Sequence, residues 1–375
     1  SQSPLKWSIG LDRELAGHTT PFNGECLDPD QSEYFTTSQR RFTAPLKFVG
    51  IFEDCRSGRI RIKFRAKGDE MPGKLTEIGC WDHARAGCDL GAVNIDRVVD
   101  MERLSYPHAM LLPTAEPDEL RRLATEMGPR IIDPETLAVS LSFHSYLIRT
   151  PNHTILVDTC CGNDKERPQR LDWHRRDGSY LNNLRARGVE PEDIDIVMCT
   201  HLHAEHVGWN TRLVNGKWVP TFPNAEYLFG EKEYEFWIAE QARTSERVMH
   251  GSHDDSVLPV MESGQARLVK EDHQIESGVN FEPAFGHTPG TVVLNVGGGD
   301  GSAMVCGDVM HHPAQVVHPQ WSSGFCSDPV KSAVTRRDLL SRLAGTGTLV
   351  LPAHFLSPYY GTVEKDGEGF RTVIR

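Results

Sequence analysis

The sequence predicts an α/β fold preceded by an amino-terminal extension, and three observations carry that expectation. From Gly91 onward, short apolar runs of strand length end in turn or polar residues. Helical segments with recognisable start and stop residues separate those runs. Before residue 89 the chain is instead rich in Gly, Pro and charge, with short and scattered apolar stretches. The expected division is residues 1–88 as an extension and residues 89–375 as the main domain.

Taken in order, the first element is the run Arg59–Lys67. It alternates strictly, so Arg59, Arg61, Lys63, Arg65 and Lys67 fall on one face of a strand. Such a face is either solvated or docks on an acidic surface of the same or a neighbouring subunit, which makes the extension a candidate oligomerisation arm. Cys80-Trp81-Asp82-His83 and Cys88 offer soft metal ligands, but no second Cys/His pair matches them, so no separate zinc site is expected. A helix is predicted over Thr114–Gly128, with Pro117 in its first turn. Strands follow at Val139–Ile148 and Thr154–Val157, then a short helix at Ser179–Gly188 and a strand at Ile194–Cys199. Further strands are expected at Thr291–Val296, Ala303–Cys306 and Thr348–Leu351. A helix runs between the last two, from Asp328 as N-cap and Pro329 at its first position to Gly345.

Composition narrows the function. The 375 residues carry 40 Lys+Arg against 52 Asp+Glu, a formal charge of -12, which repels phosphate backbones and argues against nucleic acid as a partner. No apolar run reaches the roughly 20 residues of a membrane helix, so no membrane partner is expected. Nine cysteines suit a reducing compartment, since a chain of this size needs no disulfide staples. Ser1-Gln2-Ser3-Pro4 shows neither a charged nor an apolar targeting region. The expected location is cytoplasmic, with an exported mature form as the alternative.

The chemistry concentrates in Thr200-His201-Leu202-His203-Ala204-Glu205-His206, directly after an apolar strand. Where strand gives way to loop, His201 and His203 can point the same way, while His206 can swing to a second ion. Asp158, Asp308 and His354 each follow an apolar run, and His287 lies in Gly286-His287-Thr288-Pro289-Gly290. Functional residues of α/β sheets gather where strands end, so these distant segments are expected to converge on one edge.

These residues, in this order, resemble the metallo-β-lactamase superfamily over about residues 90–375. The resemblance implies a four-layer αββα sandwich and two divalent metal ions, zinc before iron or manganese. It implies His201, His203 and His287 on the first ion, His206 and His354 on the second, Asp308 bridging, and Asp158 orienting a ligand from behind. One position departs: Glu205 stands where the family places Asp. It is expected to touch the second ion on its longer arm, with lower affinity than Asp would give. His311 and His312 follow the Asp308 turn, and His311 is taken as a substrate- or proton-handling residue. Asp308, Glu205 and His311 are thus the candidate catalytic residues. Cys160 and Cys161 are tempting nucleophiles, yet no separate base accompanies them, so they are assigned to packing or to the pocket wall.

Two cations lower the pKa of bound water from about 15.7 towards 7, and the resulting hydroxide would attack an electrophilic centre. Aromatic residues flank the motifs: Trp209, Trp321, Phe325, Phe355, Tyr359 and Tyr360. No basic cluster stands beside them. The expected substrate is therefore a small, largely apolar molecule with an ester- or lactone-like bond. Hydrolysis of a phosphotriester, sulfate ester or β-lactam on the same site, iron-dependent sulfur dioxygenation, and a metal-poor binding protein are the alternatives.

Overall fold

The structure, a computed structural model, describes residues 48–53, 61–66 and 87–374, apart from 298, 300 and 358–360. The chain divides into two compact units, Ser1–Thr76 and Glu77–Arg375. In the first, β1 (Phe48–Glu53) pairs antiparallel with β2 (Arg61–Ala66), which covers most of the predicted alternating strand. Cys80 to His83 lie outside the described residues.

The second unit holds two seven-stranded sheets and a two-stranded ribbon. The first sheet is made of β3 (Gly87–Asp89), β4 (Asn94–Tyr106), β5 (Val139–Arg149), β6 (Thr154–Val157), β7 (Ile196–Met198), and two later strands. Next come the ribbon strands β8 (Thr211–Val214) and β9 (Lys217–Pro220). The two later strands are β10 (Glu226–Gly230) and β11 (Ala266–Val269), giving the order β11-β10-β7-β6-β5-β4-β3. The second sheet runs in chain order: β12 (Gln274–Glu276), β13 (Val279–Pro283), β14 (Val292–Gly297), β15 (Ser302–Gly307), β16 (Leu349–Pro352), β17 (Gly361–Asp366) and β18 (Gly369–Ile374).

Strand alternation sorts the side chains into layers. Ile155, Val157, Ile196 and Met198 face inward and meet Phe281, Val292, Leu294, Val305 and Leu351 of the second sheet in a shared core. Leu156 and Val197 point the other way, onto Tyr180, Leu184, Val257 and Val260 of the covering helices. Val293, Met304 and Val350 likewise face Leu339, Leu340 and Leu343 of the helix Pro329–Leu343. Helix, sheet, sheet and helix therefore stack as four layers, as expected.

Most predicted elements fall within one or two residues of the observed ones. The helix Pro329–Leu343 starts as predicted, with the Asp328 side chain accepting from the Lys331 N–H at 2.9 Å. The helix Pro117–Met127 begins three residues later than the predicted Thr114 start, at its proline. Strand β4 and the helix Glu231–Arg243 have no counterpart in the sequence reading.

Candidate metal centre

Each chemical motif leaves a strand at the same edge of the sandwich. Asp158 follows β6, the histidine run follows β7, Asp308 follows β15 and His354 follows β16. Parallel pairing of β6 with β7 and of β15 with β16 makes those exits neighbours. Main-chain bonds then join the two sheets at this edge. The Ser142 N–H donates to the His354 carbonyl at 2.9 Å, and Val292 N–H to the Thr200 carbonyl at 3.0 Å. His354 Nδ1 pairs with the Ser142 carbonyl at 2.9 Å.

Two glycines of the motifs are explained by close approach. A Cβ on Gly307, whose φ is 45°, would lie 2.7 Å from Thr200 Oγ1. One on Gly286, φ 136°, would lie 2.4 Å from the Ser332 nitrogen at the start of the last helix. Both positions bring a ligand-bearing turn hard against a second element.

Asp308 sits in the middle of the converging imidazoles. Its Oδ2 is 3.1 Å from His311 Nε2, 3.4 Å from His287 Nε2 and 3.8 Å from His201 Nε2. Its Oδ1 is 3.1 Å from His354 Nε2 and 3.3 Å from His206 Nε2. Two ligand groups result, His201, His203, His287 and Asp308 in one, Glu205, His206, Asp308 and His354 in the other. Within each group the candidate donor atoms lie within 4.8 Å of one another. Both Asp308 oxygens and the Nε2 atoms of His201, His206 and His311 are buried without a hydrogen-bond partner, a pattern that fits cations among them.

Electrostatics supports the same picture. Burial alone would push the Asp308 carboxyl up, but the imidazoles of His354, His206 and His311 hold it well below the usual carboxylate range. Burial pulls His201 and His287 well down, which leaves them neutral and able to donate a lone pair. His206 is the exception: burial opposes its charge, yet Asp308 and Asp158 raise it well above its ordinary value. Asp158 holds it directly, Oδ2 to His206 Nδ1 at 2.9 Å, while accepting from the Thr200 N–H and hydroxyl. Glu205 lies in the short helix Ala204–Val207, and its carboxyl is held below the ordinary value because His203 and His206 outweigh burial. The thiols of Cys160 and Cys161 are pushed well up by burial, which suits packing.

The sequence reading missed Glu233. This buried carboxylate, in the first turn of the helix Glu231–Arg243, accepts from the Leu202 N–H, Trp237 Nε1, Thr288 Oγ1 and the Gly290 N–H at 2.6–3.1 Å. It ties the His201–His203 turn to the His287 turn. The only signal available was an acid three residues beyond the glycine that ends an apolar strand.

The aromatic rim needs correction. Trp209 is buried and stacks on Tyr180 at 5.5 Å, Phe355 lies in the outer core with Met304 and Val350, and Trp321 is buried on His318 at 4.2 Å. These rings anchor the ligand loops from beneath, because loops that carry polar ligands need apolar ballast on their inner side. Phe325 is partly buried at the margin, Tyr359 and Tyr360 lie outside the described residues, and His312 turns away to the Ile131 carbonyl at 3.3 Å. The rings beside the ligands are Phe143, 4.8 Å from His354, and Trp237, 5.5 Å from His203.

A family model described as the metallo-beta-lactamase superfamily matches residues 143–354, from Phe143 to the last histidine. An N-acyl homoserine lactonase from a Bacillus species is 27% identical over 156 residues. The match covers 39% of this chain and 54% of that relative, so it spans about half the relative's length. Among solved structures, hydrolase AbOPH of the beta lactamase superfamily superposes with a TM-score of 0.65 at 22% identity, covering 78% of this chain and 97% of that one. The dizinc quorum-quenching lactonase AidC, in complex with a product, gives 0.62 at 20%, covering 77% and 96%. A probable metal-dependent hydrolase from Staphylococcus aureus gives 0.63 at 18%, covering 77% and 99%. These structural likenesses establish the fold.

Proposed function

The chain belongs to the metallo-beta-lactamase superfamily, and from that premise we propose that it is a metal-dependent hydrolase of ester- or lactone-like bonds in small, largely apolar molecules. The single observation that carries this reading is the Asp308 carboxylate, whose two oxygens face two separate histidine groups. Two divalent ions, zinc in keeping with the nitrogen-rich donor set, would be held by His201, His203, His287 and Asp308 and by Glu205, His206, His354 and Asp308. When bound, such ions supply hydroxide at neutral pH and polarise a carbonyl oxygen. The protein's own groups do the rest. Asp158 fixes the ring of His206, and Glu233 fixes the two turns that carry His201, His203 and His287. His311, whose Nε2 lies 3.1 Å from Asp308 Oδ2, is assigned to take the proton released by the attacking water and pass it to the departing alkoxide. Phe143 and Trp237 keep water from the flanks of the centre. The lactonase activity of the Bacillus relative supports the lactone-like substrate.

Elemental analysis after mild dialysis tests the reading, with two ions per chain expected. A protein that retains no metal and whose stability and ester or lactone hydrolysis ignore chelators would sink it. Glu205→Gln keeps the shape of the side chain and removes its charge, so the second ion should be lost on dialysis and about one ion per chain should remain in that variant. Two tightly held ions in Glu205→Gln would show that Glu205 is not a ligand.

A further inference from the structure

The loop from Asp158 to Ser179, between β6 and the helix Tyr180–Arg185, carries an arginine that the chemistry above does not use. The Arg170 guanidinium lies 4.0 Å from the ring centre of Trp173, 5.5 Å from Tyr106 and 5.6 Å from Phe325. Three rings hold its plane by cation–π contact. Among the described residues no carboxylate lies within ion-pair distance of it. Tyr106, at the end of β4, is buried, and its hydroxyl lacks a hydrogen-bond partner. Burial pushes that phenol up, and the Arg170 guanidinium opposes the rise.

Rings connect this cluster to the ligands. Trp173 packs edge-on against Phe143 at 5.9 Å, and Phe143 against His354 at 4.8 Å. On another side of Trp173 lies His250 at 6.0 Å, which together with Met249 adopts left-handed backbone, φ 55° and 49°, in the segment Val248–Gly251. Two side chains in that conformation in succession mark a backbone held in place by its surroundings.

We infer that Arg170 and Tyr106 form a subsite beside the metal centre that takes a carboxylate carried by the substrate. A guanidinium fork matches a carboxylate with two parallel N–H donors, and the phenol supplies a third donor. Trp173, buried behind Arg170, holds the guanidinium plane, and the partly buried ring of Phe325 gives an apolar surface for the linker between that carboxylate and the scissile bond. The inference rests on the ester or lactone hydrolase reading and narrows its substrate class to esters or lactones with one free acid group. Arg170 lies in the loop that opens at the Asp158 motif, and its role rests on the rings of Tyr106 and Phe325, which come from other parts of the chain.

The test compares the mono-4-nitrophenyl ester of glutaric acid with its methylated, neutral counterpart on the zinc-loaded full chain. The free acid should show a KM lower by about tenfold or more, and Arg170→Gln should bring the two within about twofold, as loss of a charge-assisted pair requires. Tyr106→Phe should give an intermediate ratio, and Arg170→Lys should restore part of the preference. Equal KM values in the unaltered protein, or a preference that survives Arg170→Gln, overturns the subsite. If neither ester is turned over, the hydrolase reading fails, and calorimetry with the inert monoanilide of glutaric acid decides the subsite alone. Binding weakened about tenfold by Arg170→Gln supports it. No binding, or binding indifferent to Arg170, overturns it, because the acid then sits elsewhere, on the metals for example.

Discussion

Replacing Asp308 by alanine is expected to lower kcat/KM for a lactone or aryl ester by about 10³-fold, the scale of losing a preorganised charge at a reacting centre. Metal retention should fall with it. Both oxygens of this one carboxylate face histidines, three around Oδ2 and two around Oδ1, so its loss removes a ligand from both groups at once. It also leaves His206 with one of the two carboxylates that favour its charge. Metal per chain after dialysis and turnover at saturating zinc are the two measurements. Near-native turnover in Asp308→Ala would refute its shared role, and loss of activity with two ions still bound would assign it to proton handling instead.

The second large effect concerns stability. Asp255→Ala should destabilise the protein by about 3–5 kcal/mol, the usual result of stranding a buried charge. Arg167 donates to both Asp255 oxygens at 2.6 and 2.8 Å. Lys165, fully buried over the Trp218 ring, donates to the Asp255 carbonyl at 2.9 Å and to Thr211 Oγ1 at 2.6 Å. Burial already pulls the Lys165 ammonium down to about 7, against the attraction of Asp255, so removing that carboxylate would let Lys165 shed its proton and leave the buried Arg167 guanidinium without its counter-charge. The denaturant midpoint reads the loss, with an unchanged slope confirming two-state behaviour. A shift under about 0.5 kcal/mol, as at an ordinary surface position, would show that the network contributes nothing net.

Legibility in the sequence followed chemistry and period. The histidine run, Asp158, Asp308 and His354 were readable because rare residue types sat at the ends of apolar strands, and parallel strand pairs brought those ends together. Helix ends were readable where one side chain sets them, as at Asp328. Strand β4 was not, because Asp96, Arg97 and Glu102 interrupt its alternation, and its register shifts against β5 near Met101. Nor was the role of Glu233, whose four donors come from three separate stretches of chain. The pocket rings failed for a related reason. Proximity to a motif in sequence put Trp209 and Phe355 under the site, while Phe143 and Trp237 reached it from other elements.

The stitching of the two sheets by main-chain bonds at Ser142–His354 and Thr200–Val292 has a consequence for how such a protein can diverge. Those bonds do not depend on side-chain identity, so substitutions cannot easily undo them. Arg170 and Trp173 of the proposed acid subsite sit instead on the loop Asp158–Ser179, which Arg167 ties to Asp255. Selection can therefore rewrite substrate preference in the loops while the reactive centre is inherited intact, and a new specificity need not be reached through an inactive ancestor.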